Sequence, residues 1–482
     1  MASINAQSVR DEYVKIKSNL QSLLDEDQVS KEIALLVNSL FLLFNIVLAI
    51  FLERNTKKTS ANSSIPPSQT DKDETTPDKQ KTNGKGQKEK VITAANTRTV
   101  EEITLSKVSE CSKCGRDLSN EKCKCVERRT RIDIIFEKKV EHVDAEIKEC
   151  PNCKVTTKGK FPKTMPGPLQ YGNGIKAYVI QLLVMQMMSL NRVAKMMATI
   201  IGQIISDATL LSYIMKLYIA LGPWESSMKR AILLEPCINA DETSLRVCKK
   251  KQWIHIYSAG GIVLKFLHKK RGKKAINKIG IIPKYKGVIV HDCWASYLSY
   301  NNCSHGLCGS HFLRELTFII NVHKYRWAKN IKRLLQEACK AVTKREEKCL
   351  DEQGYKRLQR RYRNILTRAQ KELPVIPEKT EGRRGKVAKS DAHNLWERLK
   401  KYEKSVLLFA KLTYVPFTNN AAEQGLRMSK VKQKVSNCFR SGTYAHAYCR
   451  ISSYLQTMQK KGINPMIAIE IALSGKIDLE NL

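Results

Sequence analysis

Three acidic residues occur where a predicted strand or helix would hold a carboxylate rigidly. Asp241 follows the apolar run Cys237–Ala240, and Asp292 follows the run Val288–His291. Glu423 lies one turn into a predicted helix. Carboxylates placed this way bind divalent cations, and a pair of such cations stabilises the attacking and leaving oxygens of an in-line phosphoryl transfer. The residue types and spacing therefore predict metal-dependent phosphoryl transfer.

Each acid also has an ordinary explanation. Aspartate is common where strands end, so Asp241 and Asp292 could be turn residues. The run Asn420–Glu423 is close to a capping box, in which the glutamate would reach back to the first amide of its helix. His291, beside Asp292, is interpreted as structural rather than as a base.

Two cysteine pairs have the spacing of zinc ligands. Four thiolates from Cys111, Cys114, Cys150 and Cys153 would complete a closed tetrahedral site, and Gly115 suits a tight knuckle after the first pair. The N-terminus lacks the plan of a signal peptide, which argues against disulfides. A decayed zinc finger with free thiols is the alternative.

Other cysteines and histidines have less regular spacing. Cys123-Lys-Cys125 is a rival partner for either zinc pair. Cys303, His305, Cys308 and His311 have the side-chain types of a zinc site, but their spacing is not typical of one. Whether they bind metal stays open from the residues alone.

The chain is strongly basic, with a formal net charge of +38 over 482 residues. Repulsion on this scale favours a polyanionic partner, and DNA or RNA is the obvious one. A lysine-rich proteome is the plainer explanation of the net charge, and a solvated cationic face is the plainer explanation of a run of basic residues. One basic cluster, Lys269–Lys274, follows a predicted strand. The candidate DNA-binding residues after Glu423, with no acid among them, are Arg427, Lys430, Lys432, Lys434 and Arg440.

A chain of this length predicts about three domains. Its composition changes along the sequence, and residues 59–97 form a polar linker that cannot bury enough apolar surface to order itself. The predicted segments are an N-terminal helical or oligomerisation segment (1–58), the linker (59–97), a zinc-binding segment (98–162), a helix-turn-helix-like region (165–228), a catalytic core in two parts (229–310 and 411–450), a helical insertion between them (311–410) and C-terminal helices (451–482).

The segments before the core mix short strands with helices. Ile132–Phe136 and Val143–Ile147 have the alternation of strands. Leu190–Ile201 and Ser206–Leu221 have helical periodicity, and Gly202 separates them. This arrangement is typical of a helix-turn-helix, although any helical hairpin would have the same pattern.

The core block predicts a mixed sheet. The order is three strands, a short helix and a fourth strand, and the run Ala259-Gly-Gly is typical of a hairpin turn. After Cys237–Ala240, the predicted elements are strands Gln252–Tyr257 and Gly261–Leu267, helix Lys273–Lys278 and strand Gly287–His291.

The segment Ile33–Leu52 contains twenty residues without a charge, which is long enough to span a membrane. Asn38 and Asn45 lie seven residues apart, so they share one stripe of a helix, where asparagine can set the register of a coiled coil. The remaining residues are apolar all round rather than a clean heptad. We favour an oligomerisation helix and keep the membrane segment as the alternative.

Five motifs occur along the chain in the order Ala240–Val247, His291–Tyr297, His305–Leu316, Pro416–Met428 and Lys430–Ser441. Together they closely resemble the transposases of the insertion sequence 66 family, and the resemblance extends from about residue 60 to residue 470. It implies a ribonuclease-H-like core with Asp241, Asp292 and Glu423 as its triad. It also implies a long helical insertion before Glu423 and upstream zinc-finger and helix-turn-helix-like segments that bind the element's terminal repeats.

The chain departs from the family pattern at two positions. Cys293 stands where glycine usually follows the second aspartate, and Gln424 stands where arginine usually follows the glutamate. Glutamine cannot make the charge-assisted phosphate contact that arginine makes. The resemblance also implies that Cys303, His305, Cys308 and His311 pack near the second aspartate, Asp292.

The expected fold is multidomain α/β: a ribonuclease-H-like mixed-sheet core with a helical insertion, after a zinc-ribbon-like segment and a helical DNA-binding region. Expected cofactors are Mg²⁺ or Mn²⁺ and structural Zn²⁺. Expected partners are terminal-repeat and target DNA, a second copy of the chain, and accessory proteins of the same element. The expected location is the prokaryotic cytoplasm, at the nucleoid when bound. A catalytically inactive DNA-binding remnant is the main alternative, and a tyrosine recombinase and a membrane-attached nucleic-acid protein are further ones.

Overall fold

The computed structural model describes residues 6–25, 30–56, 58, 62, 103–131, 137–376 and 388–477. The chain divides into two units. The first comprises Met1–Lys88 and Ser226–Lys430, and the second comprises Glu89–Glu225 and Val431–Leu482. Two helices lie at the boundaries between them, α6 (Gly222–Ala231) and α15 (Asn420–Ser436).

A five-stranded mixed sheet forms the centre of the first unit. Its spatial order is β5-β4-β3-β6-β7. Antiparallel pairing joins β3 to β4 and β4 to β5, whereas β6 is parallel to both β3 and β7. The mixed sheet expected from the sequence is therefore present. The strands are β3 (Cys237–Val247), β4 (Lys250–Ala259), β5 (Ile262–His268), β6 (Val288–His291) and β7 (Ser304–Leu307).

Strand β3 is longer than the sequence predicts. The expectation that the strand ends at Ala240 is wrong, because β4 pairs with β3 as far as Val247, and Asp241 lies opposite Ile256. The predicted hairpin turn is present, since Gly260 and Gly261 both have positive φ (51° and 87°). Strand β7 has no counterpart among the predicted strands.

Helices cover the sheet where β6 and β7 lie. Apolar side chains of the sheet such as Val290 and Leu307 share one core with Phe312, Trp327 and Tyr362 from these helices. This layer matches the helical content expected between residues 311 and 410, and most of the predicted loop 378–389 falls outside the described residues. The helices of this layer are α9 (Gly309–His323), α10 (Arg326–Lys344), α11 (Glu352–Ala369), α12 (Asp391–Lys401), α13 (Glu403–Val406) and α14 (Leu408–Lys411). Two shorter helices precede them in the same unit, α7 (Lys273–Ile279) and α8 (Ala295–Leu298).

Two N-terminal helices belong to the same unit, α1 (Ala6–Asp25) and α2 (Lys31–Asn55). Buried Glu53 anchors the end of α2, because its carboxylate accepts hydrogen bonds from the backbone N–H groups of Asp391 and Ala392. It also lies 2.9 Å from Nε2 of His323. Within α2, Leu35–Arg54 is long and apolar enough to cross a membrane, and 17% of this stretch is buried.

The second unit combines a small hairpin with a group of helices. Its hairpin strands, β1 (Ile147–Glu149) and β2 (Thr156–Lys158), are antiparallel. The predicted strand Val143–Ile147 is therefore wrong except for its last residue, because β2 supplies a pairing partner only from Ile147 onward. The predicted strand Ile132–Phe136 lies outside the described residues. The helices are α3 (Asn173–Val184), α4 (Leu190–Ile201), α5 (Asp207–Ala220), α16 (Gly442–Lys460) and α17 (Pro465–Leu473).

Helices α4 and α5 agree with the sequence prediction. Gly202 ends α4 in the left-handed region with φ 71°. The Ser206 side chain caps α5 by accepting a hydrogen bond from the Thr209 amide at 3.2 Å. Both signals are local, which explains why the sequence predicted them.

Candidate functional site

Asp241 and Asp292 stand at the same level of two neighbouring strands. The parallel register of β3 and β6 pairs Asn239 with Val290. Each aspartate lies two residues beyond its member of that pair, Asp241 within β3 and Asp292 just after the end of β6. Because side chains alternate along a strand, two residues further on the side chain returns to the same face. The topology thus brings these two carboxylates to one place.

The carboxylates of Asp241 and Asp292 are half-buried, and their negative charges repel one another. Burial raises the pKa of Asp241 to about 8, and the negative charges of Glu242, Asp292 and Glu423 act in the same direction. A backbone hydrogen bond from Glu242 offsets part of this effect. Burial also raises the pKa of Asp292. A bound cation would relieve this repulsion, and these hard oxygen donors suit Mg²⁺ or Mn²⁺.

Glu423 faces helix α9. Its Oε1 lies 3.7 Å from Nδ1 of His311 and 3.9 Å from Sγ of Cys308, and its side chain is about one-third exposed. Among the described residues, the Glu423 carboxylate contacts these two side chains and accepts no hydrogen bond from an amide at the start of its own helix. The structure therefore does not build the near capping box that the sequence offered as an alternative.

A buried asparagine ties the Glu423 helix to the Asp241 strand. Asn419 immediately precedes α15, and its side chain donates to the carbonyl of Ala240 at 2.8 Å. It also accepts a hydrogen bond from the Asn239 side chain at 3.0 Å. Sequence reasoning missed Asn419. The only available signal was its place in the Pro416–Met428 motif, because its partners are distant in the chain.

A second missed group surrounds Glu242, the residue after Asp241. Arg271 contacts Glu242 through Nε at 2.8 Å and through its terminal nitrogen at 2.6 Å. The Tyr297 hydroxyl donates to the other carboxylate oxygen at 2.6 Å. The guanidinium lies over the rings of Trp294 and Trp253, 4.2 and 4.9 Å from their centroids. Arg271 also lowers the pKa of Asp292, so its charge acts on the candidate site.

His291 is part of the structural support. It is fully buried, and burial together with His305 lowers its pKa to about 3. Its Nε2 lies 3.0 Å from Nδ1 of His305, whose Nε2 in turn lies 2.8 Å from the carbonyl of Tyr300. An uncharged, hydrogen-bonded ring at this position agrees with the structural interpretation and would be a poor proton acceptor at neutral pH.

A compact set of soft and hard ligands lies beside the acids. Within the described parts of the chain, Cys308, His311 and Glu423 are the one group of at least three possible metal ligands whose donor atoms all lie within 4.8 Å of one another. Burial acts to raise the pKa of Cys308, but His311, Ser310 and the backbone of Asn419 together outweigh it, and the pKa is lowered. Burial lowers the pKa of His311, but Cys308 reverses the shift and the pKa is raised. Cys303 and His305 are not members of this group.

The two predicted zinc pairs form matching turns. The Gly115 amide donates to the carbonyl of Cys111 at 2.9 Å, and the Lys154 amide donates to Cys150 at 2.9 Å. Gly115 and Lys154 both have positive φ, 70° and 57°. A common zinc site for the two pairs stays a prediction. Cys123 and Cys125 are exposed. The four predicted ligands are Cys111, Cys114, Cys150 and Cys153.

Part of the predicted basic strip lies on the Glu423 side of α15. Arg427 and Lys430 are exposed, and their spacing of four and seven residues from Glu423 places all three on one helical face. Lys430 Nζ donates to the carbonyl of Ser244 in β3 at 3.2 Å. Partial desolvation of this otherwise exposed side chain, together with the charge of Lys251, lowers its pKa. The remaining members belong to the second unit and are Lys432, Lys434 and Arg440.

A family model covers the part of the chain that contains the candidate site. The family model described as "Transposase IS66 family" matches residues 168–447, more than half of the chain, and the matched range includes Asp241, Asp292 and Glu423. No curated protein matches the chain. A transposase role and DNA binding follow from the family. The extent of this match, over the sheet and the helices that carry the acidic residues, shows that the chain belongs to the IS66 family of transposases.

Proposed function

We propose that this transposase cuts and joins DNA at the ends of its element, using Asp241, Asp292 and Glu423 as ligands of divalent cations. The observation that carries the proposal is the placement of Asp241 and Asp292 at one level of adjacent parallel strands. Asn419 supports it by tying the start of the Glu423 helix to the strand that carries Asp241.

The donor set fits Mg²⁺ or Mn²⁺, since all three side chains offer carboxylate oxygens. A cation bound there supplies activation of the attacking hydroxyl and stabilisation of the leaving oxygen. The protein's own contribution is to hold the carboxylates rigidly. Arg271 helps, because it neutralises Glu242 next to Asp241 and keeps that extra carboxylate hydrogen-bonded.

The sheet order supports a ribonuclease-H-like core. Three antiparallel strands are followed by two strands that are parallel to the first, and helices pack on the sheet. In this arrangement the first and fourth strands are neighbours, which is the relationship that joins Asp241 to Asp292.

Exposed cations beside the acids would position the DNA backbone. Arg427 and Lys430 share the helical face of Glu423, so phosphates bound to them would lie along a path to the carboxylates. The exposed lysines of Lys269–Lys274 are a second candidate contact. In the second unit, α4 and α5 would recognise end sequences, and Lys432, Lys434 and Arg440 would add phosphate contacts.

The cysteine pairs would hold a structural zinc ion in the second unit. In both turns, the residue after the second cysteine donates a backbone hydrogen bond to the carbonyl of the first cysteine and has a positive φ. Repeated turns of this kind present both thiols of a pair to one point. Zinc would stabilise a segment in which none of the described side chains, at residues 103–131 and 137–162, is buried.

Helix α2 would join two copies of the chain. Its exposed apolar residues include a stripe at alternating spacings of three and four, the pattern of a coiled-coil seam. Ile46, Ala49 and Glu53, on a different face, are buried in the first unit. By helical geometry Asn38 and Asn45 lie opposite the stripe, so they would not set its register. The stripe consists of Ile33, Leu36, Leu40, Leu43 and Val47.

A pairing helix serves the proposed reaction because two element ends must be held together. The Glu53 anchor argues against a membrane span, since it buries a carboxylate within the protein at the end of the apolar stretch. We therefore propose a homo-oligomer that acts at the nucleoid in the cytoplasm, with accessory proteins of the element as further partners.

Incubation with a fragment that carries the element's end tests the function. Metal-dependent strand cleavage followed by joining of the 3′ end to a second DNA supports the proposal. Tight, salt-sensitive binding without cleavage would favour a DNA-binding remnant instead. Recovery of a covalent protein–DNA adduct would indicate a tyrosine recombinase.

A further inference from the structure

A thiol, an imidazole and a carboxylate converge beside the proposed catalytic acids. Cys308 immediately precedes α9, and His311 lies in the first turn of that helix, so their spacing of three brings both side chains to one side. Glu423 reaches them from α15, with Oε1 at 3.9 Å from Cys308 Sγ and 3.7 Å from His311 Nδ1.

These separations are close to those of a tetrahedral zinc site. Zinc bonds of roughly 2.0–2.3 Å to nitrogen, oxygen and sulfur place neighbouring ligands about 3.3–3.7 Å apart. The separation between His311 Nδ1 and Glu423 Oε1 is already in this range, and a contraction of a few tenths of an ångström would bring Cys308 Sγ and Glu423 Oε1 into it. All three donor atoms lie within 4.8 Å of one another. The change lies within the reach of side-chain rotation, because Glu423 is about one-third exposed rather than locked in the core.

The imidazole has a donor atom with no other role. His311 Nδ1 is buried and makes no hydrogen bond. A buried polar atom in this state is uncommon and calls for an explanation such as an ion. Its nearest acceptor, Glu423 Oε1, lies at a distance that a cation between the two atoms would span.

The thiol is prepared for the anionic form that binds metal. Cys308 is buried, the backbone N–H of Asn419 donates to its Sγ at 3.2 Å, and the Ser310 hydroxyl lies 3.0 Å away. Such hydrogen bonds to sulfur orient a thiolate ligand and stabilise its charge. Asn419 thus contacts both the strand of Asp241 and the sulfur of this cluster.

We propose that Cys308, His311 and Glu423 form a site for a thiophilic divalent cation, Zn²⁺, and that this ion competes with catalysis for Glu423. Thiolate and imidazole select Zn²⁺, whereas Mg²⁺ prefers oxygen ligands alone. Three protein ligands leave one position open for water. The inhibitory consequence rests on the proposed catalytic role of Glu423, but the binding site itself does not.

Binding is tested with Co²⁺, whose absorption reports sulfur ligation and tetrahedral geometry. The full chain, Cys308→Ser and His311→Ala are titrated, with Cys303→Ser as the control, because Cys303 is also buried but lies outside the cluster. We expect the unmutated chain and Cys303→Ser to bind one equivalent of Co²⁺ more than Cys308→Ser or His311→Ala. Equal stoichiometry in all four proteins would overturn the site.

Competition is tested by zinc inhibition of Mg²⁺-dependent cleavage, expressed relative to each variant's own rate. Loss of one ligand should raise the half-inhibitory Zn²⁺ concentration roughly tenfold or more in Cys308→Ser but not in Cys303→Ser. Equal inhibition of the two would refute the competition. A chain that binds the extra Co²⁺ but never cleaves DNA would refute the proposed function and leave the site in place.

Discussion

Asn239 donates a side-chain hydrogen bond to Asn419 over 3.0 Å, and this contact joins the strand of Asp241 to the helix of Glu423. The two asparagines are 180 residues apart in the chain. Asn419 returns a hydrogen bond to the carbonyl of Ala240, the residue before Asp241. The position of the third acid relative to the first therefore depends on one buried amide.

Replacing Asn419 should impair cleavage more than folding. Asn419→Ala leaves buried polar groups of Asn239 and Ala240 without a partner, which costs about 1–3 kcal/mol. Because the helix start then loses its tie to β3, we expect cleavage to fall roughly 10–100-fold, as for other residues that orient metal ligands. The control is Asn420→Ala, an exposed neighbour. Cleavage rates and thermal unfolding are measured on both, and equal rates would contradict the positioning role.

Removing Arg271 should destabilise the first unit. The Glu242 side chain is 1% exposed, and Arg271→Ala would leave it buried without its ion-pair partner. Breaking such a pair costs about 3–5 kcal/mol when both partners are buried, and the exposed part of Arg271 reduces this to about 2 kcal/mol. Chemical denaturation measures the loss. Lys269→Ala, at a nearby exposed lysine, should change stability by less than about 0.5 kcal/mol. Similar values for the two variants would contradict the ion pair.

The pH dependence of stability should report the buried acid. The pKa of Asp241 is raised from 3.8 to about 8 in the folded chain. Between these pH values the unfolded chain releases a proton that the folded chain keeps, so this residue lowers stability as the pH rises from about 4 to about 8. Without added divalent cations, Asp241→Asn should raise the melting temperature most near pH 8 and least near pH 4.

The matched control for this measurement is Asp144→Asn, which removes the same formal charge from an exposed position. Adding Mg²⁺ should reduce or reverse the difference in melting temperature between Asp241→Asn and the unmutated chain, because the cation stabilises only a chain that binds it. If Asp241→Asn raises the melting temperature by the same amount at every pH, burial does not raise the pKa of Asp241.

The α2 stripe gives a prediction with a closely matched control. Leu35 and Leu36 are adjacent and almost equally exposed, at 70% and 68%, but only Leu36 belongs to the stripe. Leu36→Glu should shift the chain towards monomer in sedimentation or light scattering, because a charge would enter the seam, whereas Leu35→Glu should not. Equal effects of both substitutions on membrane recovery, with no effect on association, would support a membrane segment instead.

Local features of the fold could be predicted from the sequence. Helix α4 (Leu190–Ile201) has the predicted bounds, because its periodicity lies within the segment and Gly202, which ends it, follows directly. Strand ends were harder to predict from the sequence, because they depend on the neighbouring strand. Strand β3 continues past Asp241 only because β4 pairs with it. Strand β7, Ser-His-Gly-Leu, has one apolar residue and gives no strand pattern, whereas the equally short β6, Val-Ile-Val-His, has an apolar run.

The same distinction holds for the candidate site. Asp241, Asp292 and Glu423 could be selected by residue type and motif. Asn419 and Arg271 could not, because their importance comes from partners that the fold brings together from distant parts of the chain. The asparagine stripe of α2 shows the converse: Asn38 and Asn45 have the right spacing, but the exposed heptad stripe lies on the other side of the helix.

Strand cleavage by Asp292→Asn tests the central claim most directly. The unmutated transposase and the variant are incubated with a DNA fragment carrying the element's end, with Mg²⁺ or Mn²⁺, and DNA binding is measured in parallel. We expect metal-dependent nicking by the unmutated protein and none by Asp292→Asn, with end binding retained by both. Nicking by Asp292→Asn at the unmutated rate would contradict the assignment of the metal site.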